Sequence, residues 1–243
     1  RRRLEEAIGR LVRESDLVLA VNPALERRGR DLGGHAIHLR NGTDAARMSR
    51  ALDPKTPVHA GLAELPRPVV GYMGFINVKR LDLGLLEKTA RAHPQWSFAF
   101  VGLAVERGPL GPGLESLPNV HRFDAVPYQE LPGVLKGFDV CMLPNRITEH
   151  TRGNDPIKLF DYLASGRPVV STPTAGTEQL EDVLELADDT DGFARAIERA
   201  LEDDRIEARE ARLRVAAANS WERRGERMVS AVREVLAARE IVA

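Results

Sequence analysis

The sequence predicts an α/β fold with a parallel sheet covered by helices on both faces, and three observations predict it. Apolar runs of strand length alternate with helical segments through most of the chain. Several runs are largely apolar and close on glycine, as in Val69–Met73 before Gly74 and Ser97–Val101 before Gly102, which suits strands buried on both faces. The segment from Asn154 to Val170 reads as a helix, a tight turn and a buried strand in immediate succession.

The elements follow in order. Residues 4–14 have helical periodicity, and 16–21 form a short apolar strand ending at Asn22-Pro23. A short helix over 24–30 and a strand over 36–39 precede the turn signal Asn41-Gly42-Thr43-Asp44. Residues 45–68 have weak periodicity and prolines at 54, 57, 66 and 68, and read as a linker. Beyond the linker the pattern sharpens. After strand 69–73, an amphipathic helix over 82–92 is stopped by His93-Pro94, and strand 97–101 leads into a Gly/Pro-rich loop at 108–113. Strand 120–123, helix 128–135, strand 138–143, helix 156–164 and strand 168–171 come next. A helical turn at 178–180, a strand at 183–187 and a helix at 191–201 complete the alternation. Two mixed-charge helices, 205–218 and 221–238, close the chain, the second with Met228, Val229, Val232, Val235 and Leu236 on one packing face. Asp155 is placed as the N-cap of helix 156–164, Pro156 as its first residue, and Gly166 as the left-handed residue that ends it. Pro168, which cannot donate to a ladder, belongs at the first position of its strand.

Composition narrows the function. The 243 residues are 43% hydrophobic, enough for a sizeable core. The 35 basic and 36 acidic side chains nearly cancel, which argues against nucleic acid as the main partner. Cys141 is the single cysteine and lies in an apolar run, so it is expected to be a buried strand residue in a reducing compartment. No apolar stretch has membrane-spanning length, and the N-terminus, Arg-Arg-Arg-Leu, carries no signal peptide and no Met. The chain is expected to be the later part of a longer cytoplasmic protein. His38, His93, His121 and His150 each lack a second ligand at metal spacing, so no metal is expected.

The candidate site gathers at the carboxyl ends of the predicted strands, where open parallel sheets bind ligands. Gly74 allows close approach of a ligand or of another chain segment, and Lys79 and Arg80 are cations suited to a diphosphate, or to solvent. The helix after Asn154 and Asp155 offers its first amides and its dipole to phosphate oxygens. Lys158 supplies a point charge there, and Asp161, one turn on and on the same face, suits a ribose diol; a weakly paired, solvated couple is the alternative. The polar loop 144–153, with Arg146, Thr148, Glu149, His150, Thr151 and Arg152, either recognises a sugar or is plain surface. Thr172, Gly176 and Glu178 end the next strand and also fall on this edge, where Gly176 presents amides to an anion or makes a simple turn. A G-x-G-x-x-G fingerprint, a G-K-[ST] phosphate loop and a G-x-S-x-G elbow are all absent, which disfavours dehydrogenase, kinase and hydrolase readings.

An ordered series of segments then carries a resemblance. Gly71-Tyr72-Met73-Gly74, Asp82, His93-Pro94, Phe98-Ala99-Phe100-Val101-Gly102 and Leu117-Pro118-Asn119-Val120 belong to it. So do Val126-Pro127-Tyr128, Phe138-Asp139-Val140, the run from Asp155 to Ala164, residues 166–172 and Ser220-Trp221. Over residues 70–221 the chain resembles the nucleotide-sugar-binding half of a GT-B glycosyltransferase of family four, in the bacterial branch that builds cell-surface polysaccharides, teichuronic-acid-type enzymes included. The resemblance implies Rossmann-like domains. Residues 1–66 would be the tail of the N-terminal, acceptor-side domain plus linker, 67–220 the donor-binding domain, and 221–243 a helix packing back toward the first domain.

It also implies a retaining glycosyltransferase that moves a hexose-like sugar from a nucleoside diphosphate sugar to a glycan or lipid-linked acceptor, without cofactor or metal and with peripheral membrane contact through the acceptor. Lys158 would match the family's phosphate-binding Lys, Asp161 the Glu that holds the ribose, and Lys79 and Arg80 the basic pair near the diphosphate. The family's earlier carboxylate would fall at Gly153, with Glu149 as a substitute from the loop. A nucleotide-sugar epimerase of the same fold and a non-catalytic scaffold domain are the rival readings.

Overall fold

The computed structural model describes residues 2–103, 110–148, 151, 153–203 and 205–242. Two compact units divide the chain: residues 1–42 with 219–243, and residues 43–218.

In the first unit, β1 (Val18–Ala20) and β2 (Ala36–His38) pair in parallel, Val18 opposite Ala36. The helix Pro23–Asp31 connects them, and the Asn22 side chain caps it by accepting from the Leu25 amide at 2.9 Å. The helices Arg2–Glu14 and Trp221–Val242 complete this unit. The closing helix therefore groups with the residues that begin the chain.

The second unit is built on a six-stranded, all-parallel sheet: β3 (Val69–Met73), β4 (Ser97–Val101), β5 (Val120–Phe123), β6 (Val140–Leu143), β7 (Val169–Ser171) and β8 (Glu185–Leu186). Their order is β5-β4-β3-β6-β7-β8. The chain runs outward from β3 to β5, returns to the far side of β3, and runs outward again to β8. The reversal puts a topological switch point between β3 and β6.

Alternation along each strand divides the core between two faces. Val70, Tyr72, Phe98, Phe100, Val140 and Met142 pack under the helices Leu83–Ala92 and Thr190–Glu202. Val69, Met73, Ala99, Val101, Cys141 and Leu143 pack under the helices Leu131–Gly137 and Ile157–Ala164. Cys141 is fully buried, and burial pushes its thiol pKa up to about 12.

Three expectations need correction. Residues 45–68 are no free linker: the short helices Ala45–Met48 and Ala60–Ala63 put Met48, Ala51 and Leu62 into the second unit's core, all buried. They are part of the compact unit that spans Thr43–Ala218. The helix predicted from Pro156 starts one residue later, at Ile157, with Pro156 in extended conformation at the cap position and no side-chain cap. Asp155, assigned the cap, is instead buried and lies against Gly176. The helical turn expected at 178–180 is the helix Ala175–Glu178, started by a reciprocal Thr174–Thr177 capping box.

Candidate functional site

The second unit's carboxyl edge is assembled by strand-end contacts. The Gly74 N–H donates to the Val101 carbonyl at 2.8 Å, holding the chain beside β4 one residue past the end of β3. On the β6 side, the Met73 N–H donates to the Tyr162 hydroxyl at 2.7 Å, and that hydroxyl donates back to the Met73 carbonyl at 3.2 Å. Tyr162 is fully buried, so this exchange fixes the helix Ile157–Ala164 to the tip of β3.

One turn earlier on that helix is Lys158, whose aliphatic stem lies across Gly74. A Cβ on Gly74 would overlap Lys158 Cε, and Gly74 holds φ +115°, so both space and backbone call for glycine. The Lys158 ammonium lies 4.3 Å from the Tyr72 ring centroid and donates to the Tyr72 hydroxyl, which itself donates to the Phe75 carbonyl at 2.9 Å. Burial is the main cause that lowers the Lys158 pKa to about 8; the nearby Arg80 charge lowers it further and Asp161 opposes both.

Arg80 is brought there by the loop after β6. Leu81 and Asn145 form an isolated antiparallel bridge, the Arg146 N–H donates to the Arg80 carbonyl at 2.7 Å, and the Asp82 N–H donates to Pro144 at 2.8 Å. Arg80 is thus the member of the Lys79–Arg80 pair whose charge acts on Lys158. Lys79 is exposed in the turn, its amide donating to Asn77 Oδ1 at 3.0 Å.

Asp161 accepts a 2.6 Å hydrogen bond from Thr43, which is fully buried. Burial raises the Asp161 pKa to about 6; Thr43 opposes this, Asp44 adds to it, and Lys158 opposes it. Beside Asp161 stands Tyr128, half exposed, with the Arg47 guanidinium 5.2 Å from its ring centroid.

Of the remaining predicted residues, Thr172, Gly176 and Asn154 make hydrogen bonds within the protein. Thr172 is 1% exposed, and its hydroxyl donates to the Asn145 carbonyl at 2.8 Å while accepting from the Asn145 N–H at 2.9 Å. The Gly176 N–H donates to the Asn154 carbonyl at 3.0 Å instead of facing an anion, and the Asn154 N–H donates to Thr151 at 2.9 Å. Glu178 is exposed at the end of its short helix. Glu149, His150 and Arg152 lie outside the described residues.

Gly74, Arg80, Lys158 and Asp161 therefore converge, and Thr43, Tyr72, Tyr162 and Asn145 join them without having been singled out. Asn145 Nδ2 is buried with no acceptor among the described residues. Its one signal in the sequence is its place just past β6, at the switch point. Among the described residues no three His, Cys, Asp or Glu side chains converge to hold a metal, and no helix is long and apolar enough to cross a membrane.

Comparison with known proteins agrees with this architecture. Sucrose-phosphate synthase from Thermosynechococcus elongatus superposes with a TM-score of 0.71 at 21% identity, over 95% of this chain and 61% of that one. HepE of Anabaena, solved with UDP-glucose, superposes with a TM-score of 0.72 at 17% identity, over 94% of this chain and 67% of that one. In sequence, TuaH of Bacillus subtilis, whose name assigns it to teichuronic acid biosynthesis as a glycosyltransferase, is 30% identical over 159 residues. That match takes in 63% of this chain and 40% of TuaH, so the chain spans well under half of that relative. The model of the family described as glycosyl transferases group 1 matches residues 67–203, more than half of the chain. The chain belongs to that glycosyltransferase family.

Proposed function

We propose that this chain carries the donor-binding half of a retaining glycosyltransferase that moves a sugar from a nucleoside diphosphate sugar to a glycan or lipid-linked acceptor in surface polysaccharide synthesis. The observation that carries the reading is the placement of Lys158: its stem crosses Gly74 at the end of β3, its ammonium is close enough to Arg80 to feel that charge, and its helix begins without a side-chain cap. Two cations and uncapped helix amides meeting at a switch point suit a diphosphate. Asp161, held by Thr43, is the carboxylate for the ribose diol, and the half-exposed Tyr128 ring beside it is a surface for the base. Asn145 Nδ2 would donate to a phosphate or sugar oxygen.

The chemistry follows from charge. When the bond between the anomeric carbon and the diphosphate breaks, negative charge grows on the departing oxygen. Lys158, Arg80 and the amides at the start of the helix bind that charge more strongly in the transition state than in the bound donor. The names of TuaH and of HepE with UDP-glucose support a nucleotide-sugar donor and a surface-glycan product. A lipid-linked acceptor would place this action at a membrane surface.

The test is an assay of the full-length protein with radiolabelled nucleoside diphosphate sugars, with and without acceptor glycan or glycolipid. Label transferred to acceptor supports the proposal. Acceptor-independent conversion of the donor sugar would instead favour an epimerase, and absence of nucleotide binding a scaffold.

A further inference from the structure

The opposite edge of the same sheet holds a second concentration of charge. The tetrapeptide Arg-Pro-Val-Val occurs twice, at residues 67–70 and 167–170. Its valines open β3 and β7, which lie on either side of β6. Arg67 and Arg167 are thereby delivered to the amino ends of near-adjacent strands, with Asp139, the residue before β6, between them. A cavity of about 730 Å³ opens at this edge. Lys136 closes one side of it, and Arg205, Arg209 and Arg212, at and beyond the start of the helix Ile206–Ala218, close another.

Six cations thus line the cavity against two carboxylates, Asp139 and Asp203, among the described residues. Both carboxylates are engaged. Asp139 takes Arg67 on one oxygen and the Val69 N–H, at 2.6 Å, on the other. Asp203 takes Arg205 at 2.7 Å and Arg212 at 3.5 Å. Lys136 and Arg167 are oriented by carbonyls, which do not neutralise them. Lys136 Nζ donates to Asp53, Pro54 and Thr56 at 2.7, 3.1 and 2.9 Å, and Arg167 donates to the Lys136 carbonyl at 2.8 Å. Arg209 is exposed and pairs with no carboxylate among the described residues. Burial is the main cause that lowers the pKa of the part-buried Arg167 and the buried Arg212; Asp139 opposes it at Arg167 and Asp203 at Arg212, and Arg209 adds to it at both. Among the described residues no aromatic side chain lines the cavity, so it offers no platform for a nucleobase. Pre-oriented guanidiniums with unspent donors suit phosphate oxygens.

We propose that this amino-edge cavity is a second anion site, taking a diphosphate or a phosphate ester without a base. The site is separate from the donor-binding edge and does not rest on the donor reading. Two sources share this chemistry, a soluble diphosphate or sugar phosphate and the headgroup of an anionic lipid.

The test titrates inorganic pyrophosphate into the whole chain by calorimetry, using wild type, Lys158→Met, and Lys158→Met combined with Arg209→Gln or with Arg209→Lys. The site predicts pyrophosphate binding that survives Lys158→Met, falls about tenfold when Arg209→Gln is added to it and largely returns with Arg209→Lys in its place. Binding that vanishes in Lys158→Met, or that is the same with Arg209→Gln added as without it, overturns it. Arg209 is exposed, and a thermal melt run alongside verifies that its variants fold. Nucleoside diphosphate titrated into the same variants reads the donor edge separately and is expected to be unchanged by Arg209→Gln. Flotation with phosphatidylcholine vesicles, with and without phosphatidylglycerol, identifies the source. Retention on phosphatidylglycerol that is competed by pyrophosphate assigns a lipid headgroup, and pyrophosphate binding without retention assigns a soluble phosphate.

Discussion

Thr43 donates a 2.6 Å hydrogen bond to Asp161 across 118 positions of sequence, and with it the turn that opens the second unit orients the carboxylate proposed to hold the ribose. The bond goes to a group whose pKa burial has raised to about 6, and Thr43 is among the influences that restrain that rise. Thr43→Val therefore pushes the Asp161 pKa further up. Nucleoside diphosphate affinity is expected to fall about three- to tenfold near pH 6 and less at pH 8, where the carboxylate is ionised in both proteins. Titrations at the two pH values check this, and equal losses at both would contradict it.

Asp161 also makes a stability prediction. Its folded pKa lies above the ordinary 3.8, so its contribution to stability is present in full below about pH 4 and is lost as the pH rises through about 6. Asp161→Asn should remove that loss. The ligand-free variant is expected to melt higher than wild type at pH 7 while binding nucleoside diphosphate less well. Melting curves from pH 4 to 8 read the first effect.

Lys158 runs in the opposite sense. Its folded pKa is about 8 against an ordinary 10.5, so its contribution to stability is present above about pH 10.5 and is lost as the pH falls through about 8. At pH 7 the buried ammonium costs folding free energy that a bound diphosphate would offset. Lys158→Met should stabilise the ligand-free protein by about 1–3 kcal/mol near pH 7. In wild type, diphosphate affinity should drop as the pH rises through about 8, and the variant should show no such step.

Glycine substitutions separate backbone need from mere presence in a loop. At Gly74, φ +115° and the Lys158 stem both oppose a side chain, and Gly74→Ala is expected to cost about 2–4 kcal/mol and to displace the lysine. At Gly153 a methyl group would meet no atom within 4 Å among the described residues beyond its chain neighbours, so Gly153→Ala should change stability by less than about 0.5 kcal/mol. Chemical denaturation of the two variants makes the comparison.

The extent to which the sequence disclosed this arrangement depends on the range of the interaction. Strands 69–73 and 97–101 were legible to the residue, because burial on both faces leaves a largely apolar run that closes on glycine, and the edge strand 120–123, which is only partly buried, was legible from its place in the alternation. Lys158 and Gly74 were legible as residues of the sheet's carboxyl edge, although not as partners, because the overlap of stem and backbone depends on how the helix Ile157–Ala164 docks on β3. Residues 45–68 read as a linker because their helices are single turns separated by prolines, too short to show a period, while Met48 and Leu62 are fully buried. Whether Gly176 and Thr172 were open or spent stayed undecided, since a sequence displays hydrogen-bonding capacity but not its consumption, here by Asn154 and Asn145. Thr43 carried no signal toward Asp161, as nothing in a four-residue turn announces a contact 118 positions away.

The central claim is that the Lys158 ammonium is the charge a diphosphate meets at the carboxyl edge of the second unit's sheet. Calorimetric titration at pH 7 of wild type and Lys158→Met, with a nucleoside, its monophosphate and its diphosphate, tests it most directly. The account predicts that the diphosphate binds wild type most tightly, that Lys158→Met weakens it by about tenfold or more, and that the nucleoside is barely affected. Equal diphosphate affinity in the two proteins would contradict it.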